Sequence, residues 1–357
     1  MSDLSKNTPL IDFHRSRGGR IVEFAGWNMP VQYAGIIEEH KAVRNSAGLF
    51  DASHMGEAFV SGSDALEFLN YALSNDFSGL ENGAARYGVL CNPDGGAADD
   101  VIVYKMIDGT YMVVLNASNT AKDMCLLKER AAGLGGRAFN VEVEDISDSF
   151  ALLALQGPRS PEVMKAVFNA DFSGLKRFHF TSDARMIISR TGYTGSDGYE
   201  IFCPPEDAVA LAEKLSACEG VSLCGLGARD SLRVEACYPL YGHELSDSIT
   251  PLEAGLGWAV KLGKDFVGRD ALARQAADGV KRKVAWFKTE GRRIPRDGVD
   301  VFSNGEKVGK VLSGAWSGTW ECPIGSALVE AQKISEGGLY VDIRGSKINL
   351  EIREKTK

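Results

Sequence analysis

The chain lacks a Cys-x-x-Cys pair and a His-Glu-x-x-His motif, and it has only five histidines among 357 residues. These absences remove the usual signatures of zinc sites and dithiol redox centres, so no metal is expected. The cysteines at 91, 125, 203, 218, 224, 237 and 322 are scattered and odd in number, a pattern of reduced thiols rather than a disulfide framework. A basic excess is missing as well. With 40 Lys and Arg against 48 Asp and Glu, the net charge is -8. Neither nucleic acid nor an anionic membrane surface is expected as the main partner. No apolar run approaches the roughly 20 residues of a membrane span. Met1-Ser2-Asp3-Leu4-Ser5-Lys6 lacks the apolar or Arg-rich pattern of a targeting segment. A cytoplasmic protein is the expectation.

What is present is an ordinary globular composition, 44% hydrophobic and 25% charged, on a chain long enough for two or three domains. Strands and helices interleave without the regular alternation of a doubly wound sheet. The spacing of Ile36, His40, Val43 and Ala47 predicts a helix over 31–47, with Gly48 as its stop. Further helices are expected over 119–131, after Gly157-Pro158, over 204–218, and from Gly225 to about Cys237. Strands are expected over 101–104 and 111–115, paired about Asp108-Gly109, and over 151–156. Residues 264–283 read as a helical linker. Beyond residue 280 come short strands and turns. Asn304-Gly305, between Val301 and Val308, predicts a tight hairpin, because a type I′ turn needs two residues tolerant of positive φ. A second turn is expected at Arg344-Gly345-Ser346.

The most informative stretch is Gly95-Gly96-Ala97-Ala98-Asp99-Asp100-Val101-Ile102-Val103-Tyr104. Successive side chains of a strand point to opposite faces, so the two aspartates cannot share one exposure. A carboxylate held at a strand mouth can orient or deprotonate an amine. From the residues alone, a solvated loop carboxylate is the commoner case.

Arg190-Thr191-Gly192-Tyr193-Thr194-Gly195-Ser196-Asp197-Gly198-Tyr199-Glu200 reads as a turn joining strands over 186–190 and 199–202. Its glycines let backbone approach a ligand. Glu200, within an apolar and aromatic segment, is placed to bind a planar heterocycle through two hydrogen bonds; the alternative is a glutamate on a wet strand face. Thr194 occupies the place where a nucleophile elbow needs glycine. Gly225-Leu226-Gly227-Ala228-Arg229-Asp230 fails the dinucleotide fingerprint at Asp230. Arg229 and Arg233 share a helical face, where they can hold a carboxylate or orient Glu200 by forked hydrogen bonds, or form surface salt bridges. Asp51, Ser53 and His54 lie too close in sequence for a triad. His54 reads as structural, and Met55 as a pocket residue whose thioether packs on flat rings.

Together these segments resemble the folate-dependent aminomethyltransferase (T-protein) family of the glycine cleavage system. The resemblance spans nearly the whole chain. Besides the stretches above, it rests on Thr8-Pro9-Leu10, Phe24-Ala25-Gly26-Trp27-Asn28-Met29-Pro30 and Gly48-Leu49-Phe50-Asp51-Ala52-Ser53-His54-Met55-Gly56. It also rests on Pro239-Leu240-Tyr241-Gly242, Thr250-Pro251-Leu252-Glu253-Ala254-Gly255-Leu256-Gly257-Trp258 and Asp265-Phe266-Val267-Gly268.

The resemblance implies an α+β fold with three domains in a clover-leaf arrangement. They surround a central folate-binding cavity, and the C-terminal domain is a small β-barrel. It implies a discontinuous folate-binding domain over 1–54 and 150–262, an inserted domain over 55–149 that carries the catalytic aspartate, and the barrel over 280–357. It implies Asp100 as the catalytic carboxylate and Glu200 as the grip on the pterin ring. Arg229, Tyr87, Asn116, Tyr193 and Met55 fall at pocket positions, and Arg296 matches a basic position of the barrel, toward the carrier. The implied reaction moves the methylene carbon of an aminomethyl group from the dihydrolipoyl arm of lipoylated H-protein to tetrahydrofolate. It releases ammonia and forms 5,10-methylenetetrahydrofolate, without a metal or pyridoxal phosphate.

One departure concerns a Ser-Gly-x-Phe-Ser-Pro-Thr-Leu-Gly run of the family. Here it reads Ser313-Gly314-Ala315-Trp316-Ser317-Gly318-Thr319-Trp320, and the route of substrate approach is where that change is expected to act. Two other readings share the resemblance: a folate-dependent demethylase of the same fold and a non-catalytic folate-binding protein. The Lys-Gly-Cys-x-x-Gly-Gln motif of the second group is absent around Cys237, and the Asp99-Asp100 pair argues for an enzyme.

Overall fold

The computed structural model describes residues 5–133, 136–183 and 185–353. Residues 1–4 of the N-terminal segment read above lie outside the described residues. The architecture is α+β, built on three large sheets.

The first sheet has six strands in the order Phe180–Ser182, Ile187–Ser189, Gly198–Cys203, Ala151–Gln156, Ala47–Asp51 and Val221–Leu223. Its three central strands are buried along their whole length, as runs such as Ala-Leu-Leu-Ala-Leu-Gln require. Helices Ser160–Phe168 and Ala208–Ser216 cover one face through Val163, Met164, Leu211 and Leu215. The second sheet is antiparallel, in the order Ala84–Cys91, Ala97–Lys105, Tyr111–Leu115, Gly56–Ser61 and Glu142–Asp145. Phe68 and Leu69 of Ala65–Ala72, with Met124 and Leu127 of Thr120–Ala131, close its outer face. The two sheets meet through Ala85, Tyr104, Met112, Leu152, Phe180 and Phe202. The third sheet holds seven antiparallel strands between Arg282 and Arg353, around a core of Phe287, Val301, Val311, Val329 and Val341.

Local rules account for most elements. Asn304 and Gly305 take φ of 50° and 86°, the positive pair expected of a two-residue hairpin. Arg344 and Gly345 do the same at 55° and 78°, and Ser346 already opens the next strand. The helix expected over 31–47 is shorter, Ile36–Asn45. Residues 31 and 32 finish the strand Trp27–Gln32, and Ala47 and Gly48 begin the buried strand Ala47–Asp51. Tertiary burial on both faces overrides the helical periodicity there. The linker over 264–283 carries a helix only at Arg269–Asp278, ending at Gly279 with φ of 81°.

The helix Leu226–Glu235 joins the first sheet to the third. Arg233 on it is buried and donates to Asp230, Glu244 and Ser313 at 2.8–2.9 Å. Glu235 meets His40 Nε2 at 2.9 Å and Arg44 Nε at 2.8 Å, and it accepts from Ser317 and from Thr319, the latter at 3.0 Å. The altered stretch 316–320 thus docks on this ion pair; it does not line the central cavity.

Candidate functional site

A cavity of about 990 Å³ opens between the sheets. The aspartate pair stands on its wall. Asp99 and Asp100 alternate across the strand Ala97–Lys105: Asp99 is wholly buried toward the helix Thr120–Ala131, and Asp100 lines the cavity. The loop before the strand depends on Gly96, since a Cβ there would stand 1.9 Å from the carbonyl oxygen of Asp247.

Asn116, next after the strand Tyr111–Leu115, ties the pair together. Its Nδ2 reaches Asp99 Oδ1 at 2.8 Å, the Asp100 carbonyl at 3.1 Å and Asp100 Oδ1 at 3.2 Å. Tyr87 Oη donates to Asp100 Oδ2 at 3.1 Å. Burial first, then the charge of Asp99, push Asp100 up to about 7; the Tyr87 and Asn116 hydrogen bonds pull the other way. A carboxyl so poised can take a proton near neutral pH and return it.

Glu200 lies on the buried strand Gly198–Cys203 and lines the same cavity. Thr191 Oγ1 donates to its Oε2 at 2.5 Å, with the Tyr104 and Ser189 hydroxyls 3.2 and 2.9 Å from that same Oγ1. Burial raises its proton affinity, which the Thr191 hydrogen bond and the Arg229 charge oppose. No donor among the described residues reaches Oε1, which leaves it for a ligand.

Arg229 lines the cavity with its guanidinium 4.9 Å over the Tyr193 ring, and it donates no side-chain hydrogen bond to a described residue. Of the alternatives open for the two arginines, the fork on Glu200 is therefore not formed. Thr191 holds the carboxylate, Arg229 acts on it by charge alone, and Arg233 is spent on Glu244 and Asp230. Tyr193 donates to the carbonyl of Pro239 and stacks on Tyr238 with centroids 5.9 Å apart. Met55 lines the apolar side. Arg296 is exposed, bonded to the Gly314 carbonyl at 3.1 Å, and contributes to the lining from the third sheet. All eight residues singled out from the sequence thus border one cavity.

The triad excluded on spacing is absent for a geometric reason too. Asp51 binds His14 Nε2 and Thr8 Oγ1 at 2.8 and 2.7 Å, and no hydrogen bond joins it to His54. His54 also lines the cavity, with Nδ1 lacking a partner among the described residues. Burial, then the Arg229 charge, hold it down to about 4, so it is neutral.

Sequence reasoning missed Thr191, Asn119 and Trp258. Thr191 sat inside a quoted motif, but only the pairing Ser189↔Glu200 shows that it turns back onto the carboxylate. Asn119 Nδ2 donates to Asp99 at 2.9 Å, three residues after Asn116, a spacing that the helix start could have signalled. Trp258 packs its ring 5.4 Å from that of Tyr87 while 53% exposed.

Against this geometry stand the relatives. The family described as "GCVT N-terminal domain" matches residues 10–264, and "Glycine cleavage T-protein C-terminal barrel domain" matches residues 282–356. The chain belongs to the glycine cleavage T-protein family. The aminomethyltransferase of Bacillus subtilis (strain 168) is 46% identical over 360 residues, covering 98% of this chain and 96% of that protein. The aminomethyltransferase of Geobacillus sp. (strain WCH70) is 45% identical, covering 97% of each. The crystal structure of the glycine cleavage system aminomethyltransferase T from Bartonella henselae superposes with a TM-score of 0.92 at 36% identity, over 98% of this chain and 97% of that one. Like other T-proteins, the chain is an enzyme, a transferase of the glycine cleavage system. Among the described residues no helix is long and apolar enough to cross a membrane.

Proposed function

We propose that the chain transfers the methylene carbon of an aminomethyl group, carried on the dihydrolipoyl arm of H-protein, to tetrahydrofolate. The products are 5,10-methylenetetrahydrofolate, ammonia and the free dihydrolipoyl thiol. Two folate N–H bonds and the carbon's bonds to nitrogen and sulfur break, and two C–N bonds to folate form. One folate proton ends on ammonia and the other on the thiol. The reading rests on one observation above the others: Asp100, with its proton affinity near neutrality, shares a cavity with Glu200, whose Oε1 is left for a planar ligand.

Each residue then has a task. Glu200 accepts from the ring N–H and exocyclic amine of the pterin, with Thr191 fixing its rotamer. Arg229 offers an uncommitted cation to the ligand's oxygen atoms. Tyr87 and Tyr193 border the flat ligand from the lining, and Met55 packs against it. Asp100 orients the folate amine, stabilises positive charge developing on it and takes its proton; Asn116 holds the carboxylate in place. Arg296 at the lining's edge faces the incoming carrier. Residues 1–54 with 150–262, 55–149 and 280–357 are proposed as the domains. Each of the three large sheets, with its own core, supports that division. A cytoplasmic setting accords with seven free cysteines.

The test is ammonia release from aminomethyl-loaded H-protein, with and without tetrahydrofolate. Wild type is expected to depend strongly on folate. Asp100→Asn is expected to keep folate binding and lose turnover by about 100-fold or more. Near-normal turnover in folded Asp100→Asn protein would overturn the assignment.

A further inference from the structure

Behind the catalytic wall lies a third carboxyl that the transfer itself does not use. Asp123 sits in the first turn of the helix Thr120–Ala131, one turn after Asn119, so both face the strand Ala97–Lys105. It is wholly buried. No N–H or O–H among the described residues donates to either of its oxygens, and the strongest acidic influence on it is the Asp99 carboxyl, on which the amide of Asn119, one turn earlier, already sits. Two neighbouring buried carboxyl groups disfavour each other's ionised form, so one of them keeps its proton. Asp99 is the better seat for the charge. It already accepts from Asn116 N at 3.2 Å, Asn116 Nδ2 at 2.8 Å and Asn119 Nδ2 at 2.9 Å, whereas Asp123 accepts from none.

We propose that Asp123 is a positioning residue: a carboxylic acid that stays protonated at working pH, donates to Asp99, and through Asn116 sets the ionisation and placement of Asp100. The inference rests on the catalytic reading of Asp100. The same Asn116 amide touches Asp99 and Asp100, so whatever fixes the charge on Asp99 is felt at the reacting carboxylate. Burial and the nearby Asp99 push Asp123 up to about 10, consistent with its donor role.

The groups facing this cluster are accounted for. From its own helix, Lys122 Nζ is held by the Ala98 carbonyl at 2.6 Å and the Tyr241 hydroxyl at 3.0 Å. Arg130 is bound to the carbonyls of Ala72 and Cys91 at 2.7 and 2.5 Å. From the neighbouring strand, Tyr87 bonds Asp100; Tyr193, across the cavity, is kept neutral by burial, with the Asp100 charge adding to it. None of these donates to Asp123.

Two measurements test this. In the infrared, wild type at pH 8 is expected to show a protonated-carboxyl C=O band component that disappears in Asp123→Asn and survives in Asp100→Asn. Loss of no component in Asp123→Asn overturns the proposal. This readout does not depend on turnover, so it stands apart from the Asp100 reading, which fails if Asp100→Asn remains active. In the pH profile of ammonia release, Asp123→Asn, whose amide can still donate to Asp99, is expected to keep the wild-type acidic limb. Asp123→Ala removes the donor, favours neutralisation of Asp99 and relieves Asp100 of its charge. The acidic limb is then expected to move down by about one pH unit. An unmoved limb in Asp123→Ala, or an equal shift in both variants, overturns the proposal. Should Asp123→Ala fail to fold, the infrared comparison with Asp123→Asn decides.

Discussion

Tyr87 donates its phenolic hydrogen to Asp100 at 3.1 Å, from the strand hydrogen-bonded beside it. That bond favours the ionised carboxylate, while burial and Asp99 favour the acid. The balance near 7 is thus a product of two strands held in one register, and it has measurable consequences.

Tyr87→Phe removes the donor and keeps the ring. Asp100 then rises further, and the acidic limb of turnover is expected to move up by about half to one pH unit. Activity falls more at pH 6.5 than at pH 8.5. A pH profile of ammonia release checks it, and an unmoved limb contradicts it.

Glu200→Ala removes the proposed pterin acceptor. Losing charge-assisted hydrogen bonds of about 1.5–3 kcal/mol corresponds to folate binding weaker by about 10- to 100-fold. Calorimetric titration measures this directly. Thr191→Val, which leaves Glu200 in place but loose, is expected to cost less; equal losses would assign the binding to Thr191 instead.

Arg229→Met removes the positive charge that helps hold His54 near 4. The His54 ring should titrate at higher pH, still below an ordinary histidine because burial is the larger cause. Proton NMR of the histidine ring reads this, and the KM for tetrahydrofolate should rise alongside. A His54 titration unchanged from wild type would show that Arg229 does not reach it.

Glu235 stitches the end of the long strand Glu306–Ser317 to the helix Ile36–Asn45 through His40, Arg44, Ser317 and Thr319. Glu235→Ala leaves buried partners uncompensated and is expected to cost about 3–5 kcal/mol, read as a fall in Tm of roughly 6–20 °C. Hydrogen bonds from His40, Ser317 and Arg44 overcome burial and hold Glu235 down to about 2, against an ordinary 4.5. Its contribution is therefore complete above 4.5 and lost as pH falls through about 2. Glu235→Gln should lack that acid-range loss in a denaturation series.

Much of the fold was legible because local rules and burial agree. The hairpins at Asn304-Gly305 and Arg344-Gly345 follow from backbone freedom, and the strand after Asp100 follows from its apolar run. The helix over 31–47 was overdrawn because Ala47 and Gly48 obey sheet burial rather than helical period. The site residues were legible through motifs and family resemblance, but their bonds were not. An arginine fork on Glu200 was a reasonable reading of two arginines four residues apart, yet tertiary packing gave one of them to Glu244 and supplied Thr191 in its place.

By itself, then, the sequence determined what lies within a few residues: that Asp99 and Asp100 alternate across a strand, that glycines precede them, that no metal-ligand cluster is spelled out along the chain. Only the tertiary structure decided which aspartate meets the cavity and which meets Asn119 and Asp123. The reason is physical. Alternation is a property of the backbone, whereas the proton affinity of a carboxyl is set by burial and by charges brought close from distant parts of the chain.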